Sequence, residues 1–103
     1  MSFQEFNLDT AILSGVKAVG YTTPTPIQQQ AIPSIMEGKD LLGLAQTGTG
    51  KTAAFALPII QHLIRNPGTR KVRVLVVAPT RELAEQIHQA CGDLAQEIER
   101  AHV

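Results

Sequence analysis

The stretch AQTGTGKT, residues 45–52, constrains this 103-residue chain more than any other part of its sequence. It stands between a short apolar run, residues 40–45, that predicts a buried strand and residues 52–57, which predict the start of a helix. Its two glycines can adopt backbone angles that other residues avoid, so successive N–H groups can turn inward beside the positive end of the helix. Strand, glycine-rich loop and helix together predict a phosphate-binding loop.

The end of this loop supplies side chains suited to a nucleotide. Lys51 is placed to reach the β- and γ-phosphates, and the Thr52 hydroxyl is placed to ligate Mg²⁺, which prefers oxygen ligands, so we predict catalytic roles for both. The general phosphate-loop pattern begins with glycine, whereas this sequence has Ala45 at that position. The alternative interpretation of the segment is an ordinary strand-to-helix turn with a solvated lysine. The residues predicted to bind the phosphates are Ala45, Gln46, Thr47, Gly48, Thr49, Gly50, Lys51 and Thr52.

Composition narrows the class of protein. An apolar content of 44% fits one small globular domain, and nine basic residues against nine acidic ones leave no broad basic field for nucleic acid. Cys91 is the single cysteine, so no internal disulfide can form. No secretion signal is evident and no apolar run approaches the ~20 residues that cross a bilayer. We therefore expect a cytoplasmic protein with no membrane partner.

Helix signals precede the loop. Apolar residues recur at helical intervals over residues 9–19, and Gly20 predicts the end of that helix. A second helix is predicted to begin at Pro26, with Thr25 as its N-cap, and to end at Gly38. The sequence thus predicts two helices before the first strand.

Strand and helix signals also follow the loop. The valine-rich residues 72–78 predict a second strand, buried on both faces, and after Pro79 an apolar face from Leu83 to Ile98 predicts the last helix. This order predicts an α/β fold with parallel strands flanked by helices. Because a parallel sheet normally has several strands and helices on both faces, we infer a fragment of a larger domain.

Two further segments complete a family resemblance. Residues 20–28, GYTTPTPIQ, look like an adenine-reading Q motif, with the isolated aromatic Phe3 standing 17 residues before Gly20. Residues 79–84, PTRELA, look like an RNA-contacting motif. With the phosphate loop in its alanine-first form, these segments resemble the N-terminal part of the DEAD-box RNA helicases over nearly the whole chain.

The resemblance implies a RecA-like P-loop NTPase domain that binds ATP and Mg²⁺. It implies RNA as a partner, single-stranded or duplex and largely independent of its sequence, in a cleft shared with a second RecA-like domain. Residues 1–103 would be the N-terminal portion of the first domain, with the Q motif over 3–28, the P-loop over 45–52 and the RNA-contacting motif over 79–84.

The Q motif holds two predicted base-binding residues. Adenine presents an amino donor beside a ring acceptor, a carboxamide can meet both, and the resemblance assigns this role to Gln28. Phe3 is predicted to stack on the purine. The alternatives are structural: Gln28 can complete a capping box with Thr25, a role that can coexist with adenine contact, and Phe3 can pack in the core.

The resemblance assigns RNA contact to Pro79, Thr80, Arg81 and Glu82. A helix that opens directly after a strand points N–H groups and a guanidinium at the carboxyl edge of the sheet, where open α/β sheets bind ligands. The alternative is a helix cap together with a surface ion pair between Arg81 and Glu85.

The sequence also lacks parts that the resemblance requires. No acidic quartet of the Asp-Glu-Ala-Asp kind is present, and no second RecA-like domain supplies an arginine finger, so we expect the full-length protein to be the ATP-hydrolysing helicase and this chain alone to be inactive. An exposed sheet edge predicts self-association. The alternative functions are another P-loop ATPase or kinase, or a nonenzymatic nucleotide-binding module.

Overall fold

The computed structural model describes residues 2–44, 50–66 and 73–96. Over these ranges the chain forms a 3₁₀ turn, Phe3–Phe6, followed by four α-helices. The helices are α1 (Thr10–Ala18), α2 (Pro26–Met36), α3 (Lys51–Arg65) and α4 (Arg81–Leu94). Helix α3 is central, because it packs against each of the other three helices.

The first helix begins and ends where the sequence predicts. The Asp9 carboxylate accepts a hydrogen bond from the Ala11 N–H at 2.9 Å and caps the amino end of α1. Gly20 follows the last turn with a positive φ of 88°, which favours glycine. The N–H of Gly20 donates to the Lys17 carbonyl and that of Tyr21 to the Val16 carbonyl, the Schellman arrangement. Helix α2 ends in the same way.

The hydrophobic core is built from the 3₁₀ turn and the helices. Its deepest side chains, Ile12, Ile32 and Leu57, come from α1, α2 and α3 and are completely shielded from solvent. The buried members of the cluster are Phe3, Phe6, Leu8, Ile12, Val16, Ile32, Ala53, Ala56, Leu57 and Leu94. Burial of these groups holds α3 in place and thereby fixes the position of its amino end.

Neither predicted strand forms within the described residues. Residues 41–44 and 73–78 belong to no helix or strand, and no β-ladder joins them to a neighbour in the part of the chain that the structure describes. Leu42 and Leu75, expected to be buried, are 86% and 83% exposed. The burial predicted for these two side chains is therefore wrong, and the parallel strands predicted for the two segments are not shown in the described residues. The physical reason is that an extended segment becomes a strand only when a neighbouring strand accepts and donates its backbone hydrogen bonds.

Exposure varies between neighbouring side chains in both segments, residues 41–44 and 73–78. Leu41 is less exposed than Leu42, and Val76 is less exposed than its neighbours Leu75 and Val77. The less exposed side faces helices: Leu41 borders a cavity with residues of α2 and α3, and Val76 borders another with residues of α4. Each segment thus has one side against helices and the other side in solvent.

Helix α4 packs less deeply than its apolar pattern predicts. Leu94 is buried, Leu83, Ile87 and Cys91 are only half-buried, and Ile98 lies outside the described residues. Cys91 packs against the core cluster, and burial raises the pKa of its thiol. A raised pKa disfavours the thiolate, as is typical of a cysteine that serves as a small packing residue.

In the part of the chain that the structure describes, no helix combines the length and the apolar character needed to span a membrane.

Candidate functional site

The Gln28 side chain links the start of α2 to the start of α3. It is 2% exposed, and its Oε1 accepts a hydrogen bond from the Thr25 N–H at 2.9 Å. The Gln28 N–H donates in return to Thr25 Oγ1 at 3.4 Å, which completes the predicted capping box. Its Nε2 donates to the Gly50 carbonyl at 3.1 Å. One carboxamide therefore connects the cap of α2 to the residue that immediately precedes Lys51.

Gly50 occupies a position that requires glycine. It is the N-cap of α3 with a left-handed φ of 79°, a conformation that side chains disfavour. A Cβ added at this position would also collide with Nε2 of Gln28. Substitution at Gly50 would therefore disturb both the entry to α3 and its contact with the buried carboxamide.

Lys51 and Thr52 are the first two residues of α3, Lys51 exposed and Thr52 half-buried. The N–H groups at a helix start lack intrahelical partners and carry partial positive charge, so an anion beside Lys51 would meet both charges. The other predicted loop residues lie outside the described residues; they are Ala45, Gln46, Thr47, Gly48 and Thr49.

The donor set at the start of α3 fits a magnesium ion held mainly by phosphate and water. No group of three or more His, Cys, Asp or Glu side chains is placed to hold a metal among the described residues. The predicted ligand, the Thr52 hydroxyl, is a neutral oxygen donor, and Mg²⁺ commonly combines few protein ligands with substrate phosphates and waters. The role of Thr52 stays a prediction.

Phe3 and Tyr21 form an aromatic pair beside α1. Phe3 is 5% exposed and belongs to the core cluster, with its ring edge-on to that of Phe6 at a centroid distance of 6.0 Å. The Tyr21 ring is nearly parallel to it, with centroids 6.3 Å apart and planes 17° apart. These contacts are those of the core alternative, and stacking of Phe3 on a purine stays a prediction.

Tyr21 is the exposed member of this aromatic pair. It is 38% exposed, and with Phe3 it borders a cavity of about 560 Å³ along α1. The interpretation of residues 20–28 as a Q motif did not identify Tyr21 as a base-binding residue. Its sequence signal was an aromatic residue directly after Gly20, within the same motif as Gln28.

The predicted RNA-contacting segment forms the start of α4. Thr80 caps the helix, because its Oγ1 accepts a hydrogen bond from the Leu83 N–H at 3.1 Å. The four predicted contact residues are exposed; they are Pro79, Thr80, Arg81 and Glu82. Within the described ranges, Arg81 and Glu85 do not form the ion pair of the alternative interpretation, since the ion pair found there joins Lys39 to Glu37. RNA contact by Arg81 stays a prediction.

Comparison with known proteins identifies the family. The profile of the DEAD/DEAH box helicases matches residues 25–103, and the chain belongs to this family. It is 50% identical over 97 residues to the probable ATP-dependent RNA helicase DDX27 of Mus musculus, covering 93% of this chain and 13% of that protein. It is 53% identical over 97 residues to the ATP-dependent RNA helicase drs1 of Neosartorya fischeri, covering 91% and 12%. The chain thus spans about one eighth of the length of these relatives.

Solved structures agree with this assignment. The crystal structure of the RNA helicase Prp28 from Chaetomium thermophilum, bound to ADP, matches with 40% identity and a TM-score of 0.85 over 94% of this chain and 24% of that one. A DEAD box protein from Methanococcus jannaschii matches with 37% identity and a TM-score of 0.82 over 91% and 25%. The predicted DEAD-box resemblance is confirmed, and the helices are arranged as in the RecA-like domains of such helicases.

Proposed function

We propose that this chain is the ATP-binding, RNA-contacting N-terminal portion of the first RecA-like domain of an ATP-dependent RNA helicase. The observation that carries the proposal is the hydrogen bond from Gln28 Nε2 to the Gly50 carbonyl at 3.1 Å. Gln28 is the proposed base-reading residue, and Gly50 directly precedes the proposed phosphate-binding Lys51. Their contact supports one site that takes the base and the phosphates of the same nucleotide.

Adenine recognition uses the hydrogen-bonding groups of Gln28 that the fold does not use. A carboxamide offers two N–H donors and two acceptor lone pairs. The fold uses one N–H on the Gly50 carbonyl and one lone pair on the Thr25 N–H. The second donor and the second lone pair match the acceptor and the amino donor that adenine presents side by side. We place the stacking role predicted for Phe3 on the exposed ring of its neighbour Tyr21, and Phe3, which is buried, supports the Tyr21 ring on its other side.

Phosphate binding uses the amino end of α3. Lys51 supplies a charge toward the β- and γ-phosphates, the helix start supplies backbone N–H donors, and Thr52 supplies an oxygen for Mg²⁺. When bound, Mg²⁺ neutralises charge on the phosphate oxygens. The ADP in the Prp28 structure and the ATP-dependence in the names of the relatives support a nucleotide ligand.

RNA contact uses the start of α4. The exposed Arg81 guanidinium and the N–H groups of the first turn suit a phosphate of the RNA backbone, and such contacts carry no base preference. We also propose that a second RecA-like domain closes on the nucleotide. The proposed location of the protein is the cytoplasm. The names of the relatives, which are RNA helicases, support RNA as the partner.

The proposal is tested on the full-length protein with Lys51→Ala. Loss of the cation that faces the β- and γ-phosphates should abolish RNA-stimulated phosphate release, while the exposed position of the side chain predicts little change in thermal stability. Lys39→Ala is the matched control, because it removes an exposed lysine that pairs with Glu37. Near-normal hydrolysis by Lys51→Ala, or an equal loss in both variants, would contradict the assignment.

A further inference from the structure

Two polar side chains near the carboxyl end of α3 bind a segment distant in sequence. Gln61 is 2% exposed, and its Oε1 accepts a hydrogen bond from the Asp9 N–H at 2.5 Å. Nη2 of Arg65 donates to the Asn7 carbonyl at 3.0 Å. The two side chains are four residues apart and so lie on one face of α3. Together they fasten residues 7–9, here called the connector, which joins the 3₁₀ turn to α1.

The connector contains one residue in an uncommon backbone conformation and one buried side chain. Asn7 adopts a left-handed φ of 61°, a conformation that costs most residues about 1 kcal/mol and that asparagine tolerates better. The Leu8 side chain is buried in the core, while Asn7 and Asp9 are exposed. The two hydrogen bonds from α3, together with the burial of Leu8, therefore set where the connector, and with it the 3₁₀ turn, lies relative to α3.

The 3₁₀ turn carries the ring that lies against Tyr21. Phe3 is the first residue of this turn, and its ring is the one nearly parallel to that of Tyr21. A shift of the connector would move Phe3 and remove the support behind Tyr21. On the basis of the proposed function, we propose that Gln61, assisted by Arg65, is a positioning residue for binding of the nucleotide base.

This arrangement lets one helix fix both ends of a bound nucleotide. The amino end of α3 faces the phosphates, and Gln61 lies ten residues later, about 15 Å along the helix axis. Because α3 is held at the centre of the core, the distance between the phosphate-binding end and the base-stacking turn is set by a rigid element. Weakening the contact at Gln61 should affect binding of the base and leave binding of the phosphates unchanged.

The test compares Gln61→Met with Gln61→Glu in the full-length protein. Methionine has a similar volume without the acceptor oxygen, whereas glutamate retains an oxygen for the Asp9 N–H. Dissociation constants are measured with Mg²⁺ for ATP and for inorganic tripolyphosphate, which lacks a base. We expect Gln61→Met to raise the Kd for ATP about five- to tenfold, the effect of losing one buried hydrogen bond, with no change for tripolyphosphate. Gln61→Glu should restore ATP binding.

A second pair of variants tests the route through Tyr21. In a Tyr21→Leu background, Gln61→Met should cause no additional loss of ATP affinity, because the ring to be supported is already absent. If Gln61→Met does not fold, as judged by thermal unfolding, Arg65→Gln takes its place, with a smaller loss expected that is again confined to ATP.

The outcomes separate this inference from the proposed function. A folded Gln61→Met that binds ATP like the wild type, or one that loses ATP and tripolyphosphate affinity equally, would overturn the role of Gln61 and leave the ATP site standing. If Arg65→Gln is the variant used, unchanged ATP binding would likewise overturn the positioning role and leave the ATP site standing. Failure of the wild-type protein to bind ATP at all would overturn both proposals.

Discussion

At the scale of single residues, Gln28 serves the fold and remains suited to a ligand. The sequence predicts its bond to Thr25, because a capping box is a local pattern of residues three positions apart. The bond to Gly50 spans 22 positions, and no local pattern predicts it. It depends on the packing of α2 against α3. The sequence therefore identified the residue and its cap, while the structure was needed to find its contact with the end of the phosphate loop.

Substitution of Gln28 separates its two roles. Gln28→Ala removes part of the cap, which should lower the free energy of unfolding by about 1 kcal/mol, and it should weaken ATP binding and reduce discrimination against GTP. Gln28→Glu keeps an acceptor for the Thr25 N–H. It should nevertheless weaken ATP binding more than Gln28→Ala does, because a carboxylate replaces the N–H donor that faces the Gly50 carbonyl and repels that carbonyl. Thermal unfolding and nucleotide titrations measure both effects.

The control for these variants is Gln30→Ala, which truncates an exposed glutamine of the same helix. It should change neither stability nor nucleotide preference. A loss of stability in Gln28→Ala with an unchanged preference for ATP over GTP would mean that Gln28 acts only as a cap.

At the scale of elements, the sequence predicted the helix boundaries better than the strands. Asp9, Thr25 and Thr80 each form the side-chain cap hydrogen bond expected of such residues, because capping uses backbone groups only a few residues away. The valine run of residues 72–78 predicted a strand from propensity and burial alone. Strand formation and burial each require a neighbouring strand, and within the described part of the chain residues 73–78 have no neighbouring strand.

The start of α4 provides a prediction at this scale. Arg81→Ala in the full-length protein should weaken binding of single-stranded RNA and reduce the slope of log affinity against log salt by about one, the effect of losing one phosphate contact. Base preference should not change. Glu85→Ala is the control, since Glu85 makes no ion pair with Arg81, and its RNA affinity should not fall. An unchanged slope in Arg81→Ala would exclude the phosphate contact.

At the scale of the whole molecule, residues 41–44 and 73–78 leave apolar side chains in solvent. Leu42, Leu44, Leu75 and Val77 are each more than four-fifths exposed. Backbone that joins no β-ladder among the described residues, combined with exposed leucine and valine, favours pairing with another chain. Self-association stays a prediction; within the described residues, the surface that would favour it is a pair of single segments that belong to no sheet.

The isolated 103-residue chain should therefore associate, and it should bind ATP weakly without RNA-stimulated turnover. Sedimentation velocity at increasing concentration measures the association, and the double variant Leu75→Lys with Val77→Lys should reduce it, because charge on the exposed side opposes pairing. Amide hydrogens of residues 73–78 should exchange rapidly. A monomeric chain with slow exchange over these residues would contradict the prediction.

The 3₁₀ turn and α1 have a practical consequence for choosing domain boundaries. The family profile begins at residue 25, after both elements. Yet half of the buried cluster comes from residues before that point, namely Phe3, Phe6, Leu8, Ile12 and Val16. An expression boundary drawn where the profile begins would cut through the hydrophobic core and strip α3 of the side chains packed against it. For this domain, the start of the family profile and the folding boundary are different places.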